Sequence, residues 1–242
     1  MYRQDVLANN LANANTVAFK PDIATSKPRQ DVRHEDGVFN LPSNQMLERL
    51  GGGVLLNPNM VNLSKGVIEP RVDPLAVAIE SDGFFKVRNG DSSKVSTLTR
   101  DGRFTMNPKG ELVMASNGMP VLDDADHVIT LDQGVPVQIS GDGGIRQGGK
   151  LVATLGMVNV TDSSRLTKYG DGLLKAPTVI TAKVPTEQRL IRQNAVEQSG
   201  VNELRTLMDM TDASREIDAH VALMQSHDKM MERAINALGR VS

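Results

Sequence analysis

Gly144–Lys150 reads GIRQGGK, the glycine-and-lysine half of a phosphate-binding loop. In such a loop backbone N–H groups cradle the phosphate, and a Ser or Thr after the lysine holds magnesium. Here Leu151 follows, and LVATLGMVNV continues as a strand, so no helix N-terminus would face an anion. The segment is read as a Gly-rich hairpin connection. Asp123, Asp124 and Asp126, just ahead of His127, offer hard oxygen ligands. Their spacing lacks the Gly and the distal Glu of a calcium loop, so they are read as a solvated acidic turn. His220 and His227 lie seven apart on one helical segment, but zinc needs further ligands and the chain has no Cys to supply them. No G-x-S-x-G elbow or thiol nucleophile is present either. Catalytic residues, cofactor-binding residues and metal ligands are therefore all assigned as none, and no enzyme is expected.

The bulk numbers exclude further classes. A net charge of −2 and a pI near 6.1 give no electrostatic footprint for nucleic acid. Aromatics make up 3% of the chain, too few for a platform that stacks single-stranded bases. No small-molecule substrate is indicated. The absence of cysteine removes disulfides and fits either a reducing compartment or an exported protein that avoids thiols. MYRQDVLANN lacks an apolar h-region, so no cleaved signal peptide is expected. Nor does any run of apolar residues reach the length of a membrane span.

Tyr2 to Ala14 reads as a short helix with Leu7 and Leu11 on one face, ended by Asn13, Asn15 and Thr16 ahead of Pro21. Residues 21–53 show no period and are read as an extended linker, closing on Gly51-Gly52-Gly53. From Val54 to Pro185 short apolar runs alternate with turn signals. Strands are expected at Leu75–Ile79, Phe84–Val87, Val95–Thr99, Arg103–Met106, Glu111–Met114, Val135–Ile139 and Leu151–Val160. Asp82-Gly83, Asn89-Gly90, Asp101-Gly102 and Asn117-Gly118 punctuate them, and these dipeptides supply the positive φ of tight turns. The middle is thus expected to be an antiparallel all-β domain.

The last segment carries the strongest period. Steps of three and four from Leu207 reach Met210, Ser214, Ile217, Val221, Met224, Asp228, Met231, Ile235 and Leu238, and eight of these ten positions are apolar. A mean step near 3.5 favours a coiled-coil seam over a straight amphipathic stripe. A rod of roughly 50 Å cannot bury such a seam alone and needs another helix. The predicted fold class is therefore α+β, with N- and C-terminal helices forming a coiled-coil-type inner domain beside the central β-domain. Its parts are residues 1–20 (helix), 21–53 (linker), 54–185 (β-domain), 186–199 (return linker) and 200–242 (coiled-coil helix).

Several stretches resemble one family. NNLANANTVAFK (Asn9–Lys20) closely resembles the N-terminal motif of bacterial flagellar rod and hook axial proteins. DPLAVAIESDGFFKV (Asp73–Val87), LTRDGRFTMNPKGELV (Leu98–Val113), NGMPVL (Asn117–Leu122) and AVEQSGVNELRTLMDM (Ala195–Met210) continue the likeness in the family's order. The resemblance implies a structural subunit of the basal-body rod, exported through the flagellar type III apparatus without a cleaved signal and lodged in the periplasm-spanning rod. Its implied partners are copies of itself, other rod and hook subunits, and the export apparatus. Length favours a proximal or distal rod subunit over the hook protein. The candidate assembly interface comprises Leu7, Asn9, Asn10, Leu11, Asn13, Leu207, Met210, Ile217, Val221, Met224, Met231, Ile235 and Leu238. The alternatives are a hook or hook-capping component, a diverged family paralogue, or a soluble coiled-coil adaptor.

Three departures from the family pattern stand out. The family usually carries more helix ahead of the Asn-rich motif, which this chain reaches almost at Met1: either the start is misassigned or trimmed, or the inner layer is incomplete. Ala18 stands where the family usually has Gly before Phe19. REIDAH (Arg215–His220) replaces a typical Arg-x-aromatic-Glu-x-Asn run.

Overall fold

The computed structural model describes residues 1–29, 53–89 and 95–238. Among them are two α-helices, α1 (Tyr2–Ala12) and α2 (Glu203–Leu238), and otherwise mainly short antiparallel strands. The chain forms two compact units, one of residues 1–14 and 201–242, the other of residues 15–200. Among the described residues no helix is long and apolar enough to cross a membrane.

The larger unit is organised by a six-stranded antiparallel sheet, in the order Thr167–Gly170, Leu173–Pro177, Val95–Thr99, Phe84–Val87, Met157–Val160, Thr181–Lys183. Successive side chains of a strand point to opposite faces, so the adjacent Phe84 and Phe85 enter different cores. Phe85 joins the larger one, with Val77, Ile79, Phe104, Leu112 and Met157 among its members. There it meets Phe104 edge-on, ring centroids 5.2 Å apart and planes at 73°, the arrangement aromatic quadrupoles prefer. Phe84 joins a second cluster with Leu98, Val158, Leu166, Leu174 and Ile180. Leu173–Pro177, Phe84–Val87 and Met157–Val160 each place apolar side chains in both clusters, because both faces of the sheet are covered.

Phe84–Val87 and Val95–Thr99 occupy the expected ranges. Leu151–Val160 does not run as one strand. It divides into Lys150–Thr154, in a three-stranded sheet with Val137–Ile139 and Gly144–Gln147, and Met157–Val160, in the large sheet. At the break, Leu155 N–H donates to Gly143 O and Gly156 N–H to Leu122 O, so long-range pairing decides where the run divides. GIRQGGK is the hairpin that joins Gly144–Gln147 to Lys150–Thr154, with Gly148 and Gly149 in its turn.

The turn signals act in two ways. Gly83 and Gly118 have positive φ (133° and 72°). Gly102 is absent from the positive-φ glycines, and its reason is space: a Cβ there would lie 1.7 Å from the Val77 carbonyl oxygen. Asn89-Gly90 extends beyond the described residues. So does most of the expected linker, whose described flanks pair with the start of the β-rich region. Asp22–Ile23 runs antiparallel to Met60–Val61, and Ser26–Pro28 to Val54–Leu56.

The predicted fold class is corrected. The middle is mostly β-sheet, but the terminal helices do not make a coiled-coil-type inner domain. Helix α1 has 11 residues, about 16 Å, against 36 residues, about 54 Å, in α2. It packs along only the first part of α2, burying Val6 and Asn10 of its own and leaving Ala213 buried on the longer helix. From Asp218 to Asn236 every α2 residue is exposed. A heptad pattern specifies a helix with an apolar stripe, whereas a coiled coil also needs a partner of matching length.

Candidate functional site

Within the unit formed by the two helices, the Arg3 guanidinium approaches the Glu216 carboxylate at 3.8 Å, with both side chains about 60% exposed. Such a pair contributes little, so contact between the helices rests on the buried side chains. Leu7 and Leu11 are half-buried, Asn10 is buried and Asn9 exposed. The Asn13 amide nitrogen donates to Asn9 O at 2.9 Å, within the turn that ends α1. A side-chain bond of this kind satisfies carbonyls that the helix end would leave open.

On α2, Met210 and Ile217 are half-buried, whereas Leu207 and Val221 are 46% exposed and Met224, Met231 and Ile235 65–66%. Leu238 ends the helix, and its side chain lies outside the described residues. A second apolar set escaped the heptad reading: Leu204, Met208, Leu223 and Met230, each more than half exposed. At 100° per residue these lie about 130–170° round the helix from the mean direction of the first stripe. Counting apolar residues on every face of the helix, rather than along one seam, would have found them.

The residues weighed for chemistry have structural partners. Asp123 Oδ1 accepts from the backbone N–H of Ala125 and of His127, both at 2.8 Å. Asp124 Oδ1 accepts from Arg189 Nη2 at 2.9 Å, and Asp126 pairs with Lys86. Arg88 Nη2 donates to Asp126 O and Lys183 Nζ to Asp124 O. The acidic turn is thus not merely solvated but cross-braced by four cations from other segments. His220 and His227 are both exposed on α2.

Sequence reasoning also missed a buried charge cluster in the larger unit. Glu197, 1% exposed, lies between Lys20 and Arg100. Burial holds the Lys20 ammonium below the usual lysine pKa, opposed by its hydrogen bond and charge interaction with Glu197.

Beside the cluster, Ala18 has φ +56° and is 4% exposed. Glycine adopts such a φ at no steric cost. The left-handed conformation costs alanine about 1–2 kcal/mol. Glycine would give back about 0.4–1 kcal/mol in chain entropy and about 0.8 kcal/mol in lost methyl burial, so the two residues come out nearly even. A branched side chain has no such balance. Ala18→Gly is expected to move Tm by no more than about 3 °C. Ala18→Val, strained at positive φ and overpacked, should lose about 2–4 kcal/mol. Thermal melts of the two variants check both, and equal melting points would refute the account.

Three family models match the chain: the flagella basal body rod protein model over residues 2–20, the flagellar hook protein FlgE/F/G D1 domain over 78–147, and the flagellar basal body rod FlgEFG protein C-terminal over 192–237. The flagellar basal-body rod protein FlgF of Caulobacter vibrioides is 31% identical over 241 residues, covering 98% of this chain and 92% of the relative. That of Mesorhizobium japonicum is 32% identical over 244 residues, covering 99% and 93%. The flagellar basal-body rod protein FlgG of Buchnera aphidicola subsp. Baizongia pistaciae is 26% identical over 260 residues, covering 95% and 91%. With motifs at both ends and in the middle matched in order, and identity sustained across nearly the whole of both chains, this chain belongs to the flagellar basal-body rod protein family.

Proposed function

We infer that this chain is a structural subunit of the flagellar basal-body rod, assembling with copies of itself and with other rod and hook subunits. The observation that carries the reading is the apolar surface of α2 from Val221 to Ile235, which the chain leaves exposed along its length. Side chains of this kind gain about 1.5–3 kcal/mol each on burial, and neighbouring subunits supply that burial. Two opposed apolar sides on one helix suit a subunit held between neighbours. Repeated contacts that do not close on themselves build a helical tube rather than a ring, and a tube of this kind transmits torque.

In this reading residues 1–20 and 200–242 are the assembling ends. The interface takes Leu7, Asn9, Asn10, Leu11 and Asn13 from the first, and Leu207, Met210, Ile217, Val221, Met224, Met231, Ile235 and Leu238 from the second. The subunit spans part of the periplasm and is exported through the flagellar type III apparatus. The role is mechanical, with no catalysed step.

The test pairs assembly with folding. Val221→Asp combined with Met224→Asp should leave thermal unfolding of the isolated chain unchanged, because both side chains are exposed. The same variant should be missing from the rod fraction of purified basal bodies. Incorporation at the wild-type level would overturn the reading.

A further inference from the structure

Glu197 ends the strand Ala195–Glu197, which pairs with Ile68–Pro70. Its Oε1 accepts from Lys20 Nζ at 2.6 Å and from Gly66 N–H at 2.9 Å, and its Oε2 from Arg100 Nη1 at 2.9 Å. Its backbone carbonyl accepts from Ala18 N–H at 2.8 Å. One residue thus grips the segment around Ala18 and Lys20 twice, by main chain and by side chain. The donors are themselves held. Lys20 Nζ also reaches Ser64 O at 2.7 Å, and Arg100 donates to Gly83 O and Ser81 O while lying 5.5 Å from the Phe84 ring. Gly66 passes so close that a Cβ would sit 2.0 Å from Gln198 O.

The apolar hold on the same segment is slight. Among the described residues, Val17 and Ala18 belong to a small buried cluster with Ala76 and Val196, whereas the main core joins seventeen buried residues. A peripheral contact adds to it, Lys168 Nζ lying 2.9 Å from Asp22 and 4.1 Å from the Phe19 ring. Gly200 N–H donates to Phe19 O at 2.9 Å. Besides these main-chain bonds and that of Asn62 N–H to Pro21 O at 2.8 Å, the hold comes from a carboxylate that faces two cations, and Ala18 is held there in a backbone conformation alanine rarely adopts.

We propose that Glu197 is the catch of a strap, Val17–Pro21, which opens and closes as a unit on a β-body that stays folded. The strap is the lead from α1 into the larger unit, and its catch joins residues far apart in sequence. It therefore closes only after the chain has folded as far as Glu197. Segments held by few apolar contacts open below the global unfolding free energy, and this one has a single residue that controls the opening.

Native-state hydrogen exchange on the full chain tests the catch. In Glu197→Gln, which leaves Lys20 and Arg100 without their anion, the Ala18, Gly66 and Gly200 amides should exchange faster, on the order of tenfold or more. The core amides of Leu112, Met114 and Val121 should keep wild-type rates. Acceleration of strap and core amides together would overturn the proposal, as would an unchanged Ala18. Lys20→Met guards against a variant that fails to fold, since it leaves the Arg100–Glu197 pair in place. It should free Ala18 and Gly200 while Gly66, still held by Glu197, exchanges as in the wild type. Release of Gly66 with the others, or of none of the three, would refute a separate strap.

Discussion

Gly102→Ala is expected to leave little folded protein at physiological temperature. The added methyl carbon would lie 1.7 Å from Val77 O and 2.8 Å from Val77 C, both backbone atoms that cannot swing aside. Relief requires the two chain segments to part. Gly102 O accepts from the N–H groups of Val77 and Phe104, both at 3.0 Å, and those residues carry their side chains into the main core. Two lost hydrogen bonds cost about 1 kcal/mol each. Displacing Phe104 from its edge contact with Phe85 approaches the about 3–5 kcal/mol of a Phe truncation. Against a total stability of about 5–15 kcal/mol, the sum removes much or all of it. Soluble yield and a circular-dichroism melt measure the effect, and a Tm within a few degrees of the wild type would refute the steric account.

Deleting Ile217–Ser242 should produce the opposite pattern, with folding of residues 15–200 kept and motility abolished. From Asp218 to Asn236 the deleted residues are exposed, so the isolated chain loses almost none of its core. Assembly loses Val221, Leu223, Met224, Met230, Met231 and Ile235, whose burial between subunits is worth on the order of 10 kcal/mol gross per subunit. Only part of that survives the cost of association, but each subunit added to the rod meets the same loss. Swim halos in soft agar and electron microscopy of basal bodies provide the readout. Normal swimming would remove the assembly role from this helix.

The amino-acid order makes some of this legible and conceals the rest for physical reasons. GFF between Asp82 and Lys86, and the alternation before Thr99, announce strands because period two is a local property. The division at Leu155-Gly156 depends on carbonyls of Gly143 and Leu122, which no window around the break contains. Lys20 and Glu197 are unremarkable residues until folding brings them together. The acidic turn reads as solvated because its cations, Lys86, Arg88, Lys183 and Arg189, come from other segments. The departure at Ala18 is visible against the family motif, but its cost follows only from a φ of +56°. On α2 the period predicts a helix, observed over Glu203–Leu238, while the short reach of α1 leaves the expected seam exposed from Val221 to Ile235.

The alternation of Phe84 and Phe85 has a consequence for errors in pairing. Were the strand Phe84–Val87 to slide by one residue against its neighbours, both rings would change sides together. Each core would then receive the wrong side chain in a space already filled. In a sheet with one wet face, such a slip exchanges one buried set for one solvated set. Here neither face offers water as a refuge, so a misaligned strand is penalised twice over. The adjacent phenylalanines work as a registration mark that only one alignment of the six strands can satisfy.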